Sequence, residues 1–157
     1  MKLNANDEGA LDLEEIPPFL FDLLEAVPRR AGSQDPRVEN RFYPAPGEDE
    51  QLQEDWKSLV QPDLQEGFFS AREIVMADLR RASGHGDEYR MQIPSKHMEA
   101  WLNVLNQARL AIAEENHFGE KDLSEDIVPD AADPRSMLLF QISFYGFLQE
   151  CLVKMQE

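Results

Sequence analysis

Cysteine is almost absent from this sequence, since Cys151 carries the only thiol among 157 residues. A single cysteine excludes an intramolecular disulfide and a zinc site built from several thiolates. This favours a reduced compartment, and we expect a cytoplasmic protein. The N-terminal segment has no basic and apolar signal pattern, and no uninterrupted apolar run approaches about 18 residues. We therefore expect no membrane-spanning helix and no membrane partner.

Basic residues are scarce as well. The chain has 15 Lys and Arg against 31 Asp and Glu, which gives a formal net charge of −16. Such a field repels nucleic-acid phosphates and anionic lipids, so we expect no nucleic-acid partner. The acidity is typical of a solvated surface. It also fits a protein that binds a basic partner surface.

Sequence motifs for catalysis and metal binding are missing. None of the three histidines, His85, His97 and His117, has a second ligand residue three or four positions further along the chain that makes a metal-binding motif. The sequence contains no HExxH, no GxSxG and no glycine-rich phosphate loop. Cys151 lies in the most apolar segment without an adjacent base, as a core residue does. We predict no metal site, no cofactor and no catalytic residue, which favours a protein that is not an enzyme.

The sequence is rich in helical periodicity. Apolar residues recur at steps of three and four in five segments, residues 17–27, 48–59, 62–83, 95–117 and 134–156, with a break at Pro62. Residues 87–94 alternate weakly, but no convincing second strand accompanies them. The pattern predicts an all-α, single-domain bundle of about five helices over residues 13–157, after a flexible N-terminal tail over residues 1–12. We also predict a Pro-rich loop over residues 31–47 and an acidic loop over residues 119–133. We expect the Phe42 and Tyr43 rings to pin the Pro-rich loop to the body of the domain.

A polar corner interrupts the apolar stripe of the fourth helix. In the stretch "WLNVLNQARLAIA", residues 101–113, the 100° turn per residue places Arg109 between two leucines, with Asn106 on the same flank. Arg72 occupies a similar position on its own helix. One interpretation is structural, with Arg109 in an ion pair with Glu54 or Asp55. The other is an anion-binding corner made by Arg72, Asn106 and Arg109.

The last helix, residues 134–156, is apolar on almost every side. A helix of this kind is either central in its bundle or partly covered by another subunit. Two outcomes are open: the other helices of the domain cover it, or a two-fold homodimer buries residues 137–155.

Four stretches, "RFYP", "DEQLQEDWKSLV", "WLNVLNQARLAIA" and "FYGFLQECLV", resemble the bacterial family known as domain of unknown function 2017. The resemblance covers about residues 38–155, and its most specific part is the Trp-Leu, Leu-Asn, Arg-Leu pattern of residues 101–110. It implies an all-helical cytoplasmic domain with no established activity, cofactor or catalytic residue.

These observations together predict a non-enzymatic protein-interaction or regulatory module that acts through a protein partner which the sequence does not identify. The prediction depends on the missing motifs, the acidity and the apolar last helix. The alternative is a protein that binds a small ligand or anion, or an enzyme, that uses Arg72, Asn106 and Arg109.

Overall fold

The computed structural model describes residues 1–44 and 46–157, and only the backbone of His85. Its strands are β1 (Lys2–Ala5), β2 (Leu11–Ile16), β3 (Ser83–His85) and β4 (Glu88–Ile93). Its helices are α1 (Pro18–Glu25), α2 (Val27–Ala31), α3 (Pro36–Phe42), α4 (Glu50–Asp55), α5 (Gln61–Arg80), α6 (Met98–Glu115), α7 (Glu120–Leu123) and α8 (Pro134–Met155). A π turn at Trp56–Val60 joins α4 to α5, and a 3₁₀ turn at Ser95–His97 precedes α6.

The strands form one antiparallel sheet in the order β1-β2-β4-β3, so the prediction of an all-α bundle is wrong and the fold is mixed. A tight turn connects β1 to β2. In this turn the Asn6 side-chain oxygen accepts hydrogen bonds from the backbone N–H groups of Glu8 and Ala10, and Gly9 takes a φ of +79°. Residues 1–12, which the sequence analysis interprets as a tail, thus contribute β1 and the start of β2.

Strand β2 carries the signal that the sequence analysis overlooks. Leu11 and Leu13 alternate with polar neighbours and are buried, as expected for a strand with one face on a core. The alternation then fails because a bulge between Leu13 and Ile16, with Glu15 at a φ of 51°, returns Ile16 to the buried face. The partner strand β4 lies about 80 residues downstream, so a local sequence pattern cannot predict that β2 and β4 pair.

Helix α6 lies at the centre of the helical part and packs against α2, α5 and α8. Its buried side includes Trp101, Val104, Leu105, Ala108 and Ile112. The same core takes in the buried faces of β2 and β4. The sheet and helices therefore share one apolar core, and the extents of α6 and α8 agree closely with the predicted segments.

The helix break predicted at Pro62 does not occur, because α4, the π turn and α5 are continuous. Proline in an α-helix interior clashes with the carbonyl four residues earlier, which here belongs to Ser58. The wider π turn over Trp56–Val60 relieves that crowding and places Pro62 in the first turn of α5.

The region expected to be a Pro-rich loop is partly helical, since α3 occupies Pro36–Phe42. Ala45, also in that range, lies outside the described residues. The Phe42 and Tyr43 rings lie 6.4 and 5.6 Å from the Phe68 ring, so they hold the end of α3 against the first half of α5. In the acidic segment 119–133, the short helix α7 precedes an irregular stretch.

Helix α8 begins as predicted, with the Asp133 side chain accepting a hydrogen bond from the Arg135 backbone N–H and Pro134 in the first turn. By length and mean hydropathy it is long enough to cross a bilayer, which the sequence analysis did not anticipate. Within the structure it packs on α6, and Tyr145, Leu148 and Leu152 are buried, as in a core helix. The proposed homodimer through residues 137–155 stays a prediction.

Candidate functional site

Arg109 lies between α6 and α8, and its predicted ion pair with Glu54 or Asp55 is wrong. Both acids are exposed on α4, which makes no extensive contact with α6 in the described part of the chain. The Arg109 guanidinium instead donates to Gln149 Oε1 at 2.7 Å. It lies over Gly146, where a Cβ atom would come within 3.2 Å of Arg109 Cζ. Because burial is not balanced by a carboxylate, the pKa of Arg109 is lowered.

The three residues of the predicted polar corner do not form one site. Arg109 faces α8, Asn106 is exposed on α6, and Arg72 faces α2 from α5. The helical wheel of α6 places Arg109 and Asn106 on one flank but carries no information on where α5 docks. Arg72 lines two neighbouring clefts of the described structure, and neither Asn106 nor Arg109 lines either of them.

The cleft at Arg72, which we call the α2–α5 cleft, has a volume of about 570 Å³. It lies between the α1–α2 segment and the second half of α5. Its lining combines apolar and charged residues: Glu25, Pro28, Arg29, Gly32, Phe69, Arg72, Glu73, Met76, Leu79 and Arg80. A second depression of about 410 Å³ adjoins it, and Gly32, Phe69 and Arg72 line both. The volume of the cleft is within the range of about 300–1,000 Å³ typical of small-molecule sites.

A buried carboxylate forms the second polar cluster, which the sequence analysis missed. Asp78 on α5 is 1% exposed. It accepts hydrogen bonds from Trp101 Nε1 at 2.9 Å and from His97 Nδ1 at 2.9 Å, and it pairs with Arg81. The cluster therefore joins α5 to the 3₁₀ turn and α6, just after β4.

The Asp78–His97 pair resembles the acid–imidazole pairs of hydrolases, in which the carboxylate fixes the ring and leaves Nε2 to act as a base. In the described residues no hydroxyl or thiol is hydrogen-bonded to His97 Nε2. The hydrogen bonds of Asp78 are therefore best explained as structural, because they hold α5 to the 3₁₀ turn and to α6. A sequence signal for it existed, because Asp78 follows Ala71 and Val75 at helical spacing on the buried stripe of α5.

The third feature is a protruding helical surface, the arm, which we define as residues 50–70. None of its residues is buried, and within the described chain α4 and the π turn make no extensive contact with any helix or strand other than α5, which continues from them. Large apolar side chains nevertheless follow one side of it: Leu52, Trp56, Leu59, Leu64 and Phe68. The step of five residues from Leu59 to Leu64 would move Leu64 off the stripe of a regular α-helix. The π turn has one extra residue, which keeps Leu64 on the same side as Leu59.

Among the described side chains, no group of three His, Cys, Asp or Glu residues is placed to hold a metal ion. The candidate features are thus a mixed apolar and cationic cleft, a buried carboxylate cluster and an exposed apolar arm. They define a mixed α/β protein with potential binding surfaces.

A family model for a domain of unknown function, DUF2017, matches residues 4–156, and the chain belongs to this family. The resemblance inferred from the sequence is thereby confirmed. No curated protein and no solved structure gives a significant match.

Proposed function

We propose that the protein is a non-enzymatic interaction module whose arm binds a basic, amphipathic helical segment of another protein. The observation that carries the proposal is the exposed part of the arm's apolar stripe, since Leu52 and Leu59 are exposed while Trp56, Leu64 and Phe68 are partly covered. Leu59 is 70% exposed, and Leu52 and Val60 are also exposed. Soluble domains rarely leave a contiguous run of large apolar side chains in water without an interaction role.

The geometry of the arm fits a helical partner. The arm is about 30 Å long, from 21 residues at a rise of about 1.5 Å each. An amphipathic helix can lay its apolar face along such a stripe, with anchors at steps of three and four. The stripe continues into the core at Ala71 and Val75, which holds the base of the arm in place.

Charge selects the kind of partner. The arm carries five acids, Glu50, Glu54, Asp55, Asp63 and Glu66, and one base, Lys57. A second copy would place acid against acid, and each copy has a formal net charge of −16. A partner helix with Lys or Arg beside its apolar face would instead be attracted and oriented by the arm.

Titration calorimetry with synthetic peptides tests the proposal. The probe is an amphipathic helical peptide of leucine and lysine, compared with a peptide of the same length in which glutamate replaces lysine. We expect the basic peptide to bind one to one and the acidic peptide not to bind. Failure of the basic peptide to bind at millimolar concentration, or equal binding of both peptides, would overturn the proposal.

Two variants locate the binding surface. Leu59→Ser combined with Val60→Ser removes exposed apolar contacts and should weaken binding of the basic peptide about tenfold or more. Val128→Ser is the matched control, because Val128 is exposed in the acidic segment and does not belong to the arm. Circular dichroism checks that both variants fold. Loss of binding in the control, or none in the double variant, would contradict the arm as the surface.

A further inference from the structure

The α2–α5 cleft concentrates positive charge in an acidic protein. Three guanidinium groups line it, from Arg29, Arg72 and Arg80, with two carboxylates, from Glu25 and Glu73. Within the described residues none of the three arginines has an acid at ion-pair distance. The cleft thus has a formal charge of +1 on a chain whose net charge is −16.

Among the described residues Arg72 has packing contacts and no hydrogen-bond partner for its side chain. Its Cζ lies 5.9 Å from the centre of the Phe69 ring, a distance at which a cation and a ring attract each other. Its guanidinium lies near the end of α2, where a Cβ atom at Gly32 would be 3.6 Å from Arg72 Nε. The Gly32 backbone and the Phe69 ring border the guanidinium and leave its donors available to an external acceptor.

We infer that this cleft binds a small amphipathic monoanion, a carboxylate attached to an apolar or aromatic body. The apolar body would contact Met76, Leu79 and Pro28, and the carboxylate would accept hydrogen bonds from Arg72. A charge of +1 suits a single carboxylate, whereas a polyphosphate would meet the Glu25 and Glu73 carboxylates without enough compensating cations. This inference does not depend on the partner proposed for the arm, although Phe69 belongs to the arm and also lines the cleft.

Binding is tested on the full chain with naphthalene-2-acetate and its neutral amide as probes, followed by calorimetry and by amide chemical shifts in two-dimensional NMR. We expect the carboxylate to bind more tightly than the amide and to shift resonances of α2 and the second half of α5. No binding of the carboxylate at millimolar concentration, equal binding of both probes, or shifts confined to other elements would overturn the inference.

Variants separate the charge of the cleft from its shape. Arg72→Met keeps an apolar stem and should weaken carboxylate binding about tenfold while leaving binding of the amide nearly unchanged. Met76→Trp should weaken binding of both probes because it fills the cleft. Arg90→Met, at an exposed position on β4, is the control and should have no effect. An Arg72→Met protein that folds and binds the carboxylate as tightly as wild type would refute the assignment.

Discussion

Replacing Asp78 by asparagine tests whether the buried carboxylate cluster holds the sheet end of the protein to its helices. The substitution keeps the shape of the side chain and removes its charge. Asparagine offers one acceptor where aspartate offers two, so it can still bond to Trp101 Nε1 but turns an N–H₂ group toward the other donors. The Arg81 side chain is 62% exposed and can turn to water at little cost.

The expected loss of stability follows from the contacts that remain. A hydrogen bond to a charged group contributes about 1.5–3 kcal/mol, and a neutral bond about 1 kcal/mol. His97 Nδ1 can accept from the new amide if the ring takes the other tautomer, so the chief loss is charge assistance. We expect Asp78→Asn to lower the free energy of unfolding by about 2 kcal/mol. Asp78→Ala should cost about 4 kcal/mol, because it leaves the buried Trp101 N–H unpaired and opens a cavity.

Urea unfolding followed by far-ultraviolet circular dichroism measures these differences. Glu66→Gln, an exposed change on the same helix, is the control and should stay within about 0.5 kcal/mol of wild type. The indole N–H resonance of Trp101 provides a local readout, which should move in Asp78→Asn and not in Glu66→Gln. A loss below about 0.5 kcal/mol in Asp78→Asn, with an unmoved indole resonance, would refute this account of the cluster.

Four other substitutions give further tests. Arg109→Met should change the free energy of unfolding by less than about 1 kcal/mol in urea titrations, because no carboxylate is left unpaired. Gly146→Ala should then stabilise the Arg109→Met protein by about 0.5–1 kcal/mol and the wild type by less, since the guanidinium no longer occupies the Cβ position. Phe144→Glu should unfold the protein and Phe147→Glu should not, because their side chains are 6% and 47% exposed; circular dichroism distinguishes the two. Sedimentation equilibrium tests the predicted homodimer: a mass near twice 18.0 kDa that falls to 18.0 kDa in Phe147→Glu supports it, and 18.0 kDa for wild type refutes it.

The alkaline limit of stability depends on Tyr145. Burial raises its pKa to about 12 from the ordinary value of 10.0. The folded state thus favours the neutral phenol, and this contribution is complete below about pH 10 and is lost as the pH rises through about 12. Tyr145→Phe should make the stability less dependent on pH over this interval, although it also removes the bonds with Leu23 O and Gln141. Urea midpoints measured across the interval decide this, and an unchanged pH slope would contradict it.

The long helices were predictable because their signals are local. Asp133 and Pro134 mark the start of α8, and the repeat from Trp101 to Ile112 marks α6. The sheet was not predictable in this way. Its central pairing joins Leu13 to Met91, and the bulge before Ile16 breaks the alternation that would have marked β2 as a strand. Both features depend on contacts distant in sequence, which a local pattern does not contain.

The candidate sites show the same division between local and distant information. The helical wheel placed Arg109 correctly at a boundary, but the wheel does not say which element faces that boundary. The packing of α8 supplied Gln149 where the sequence had suggested a carboxylate. Arg72, in contrast, lies beside Gly32 at the end of α2 and over the Phe69 ring. An arginine at position 72 could be recognised from the sequence as a group able to bind an anion. The cleft around it depends on how α2 packs against α5, which the sequence pattern does not show.

Arg109 and Arg72 illustrate why a half-buried arginine must be judged by its neighbours. Arg109 lies against a helix, its guanidinium bonds to an amide, and its pKa is lowered because burial is uncompensated. Arg72 borders open space, lies over an aromatic ring and shares its cleft with two further guanidinium groups. Arg72 lines an open cleft that an anion can enter, whereas the Arg109 guanidinium is half-buried against α8 and already bonded to Gln149. Physical access therefore favours Arg72 over Arg109 as the group that meets a ligand.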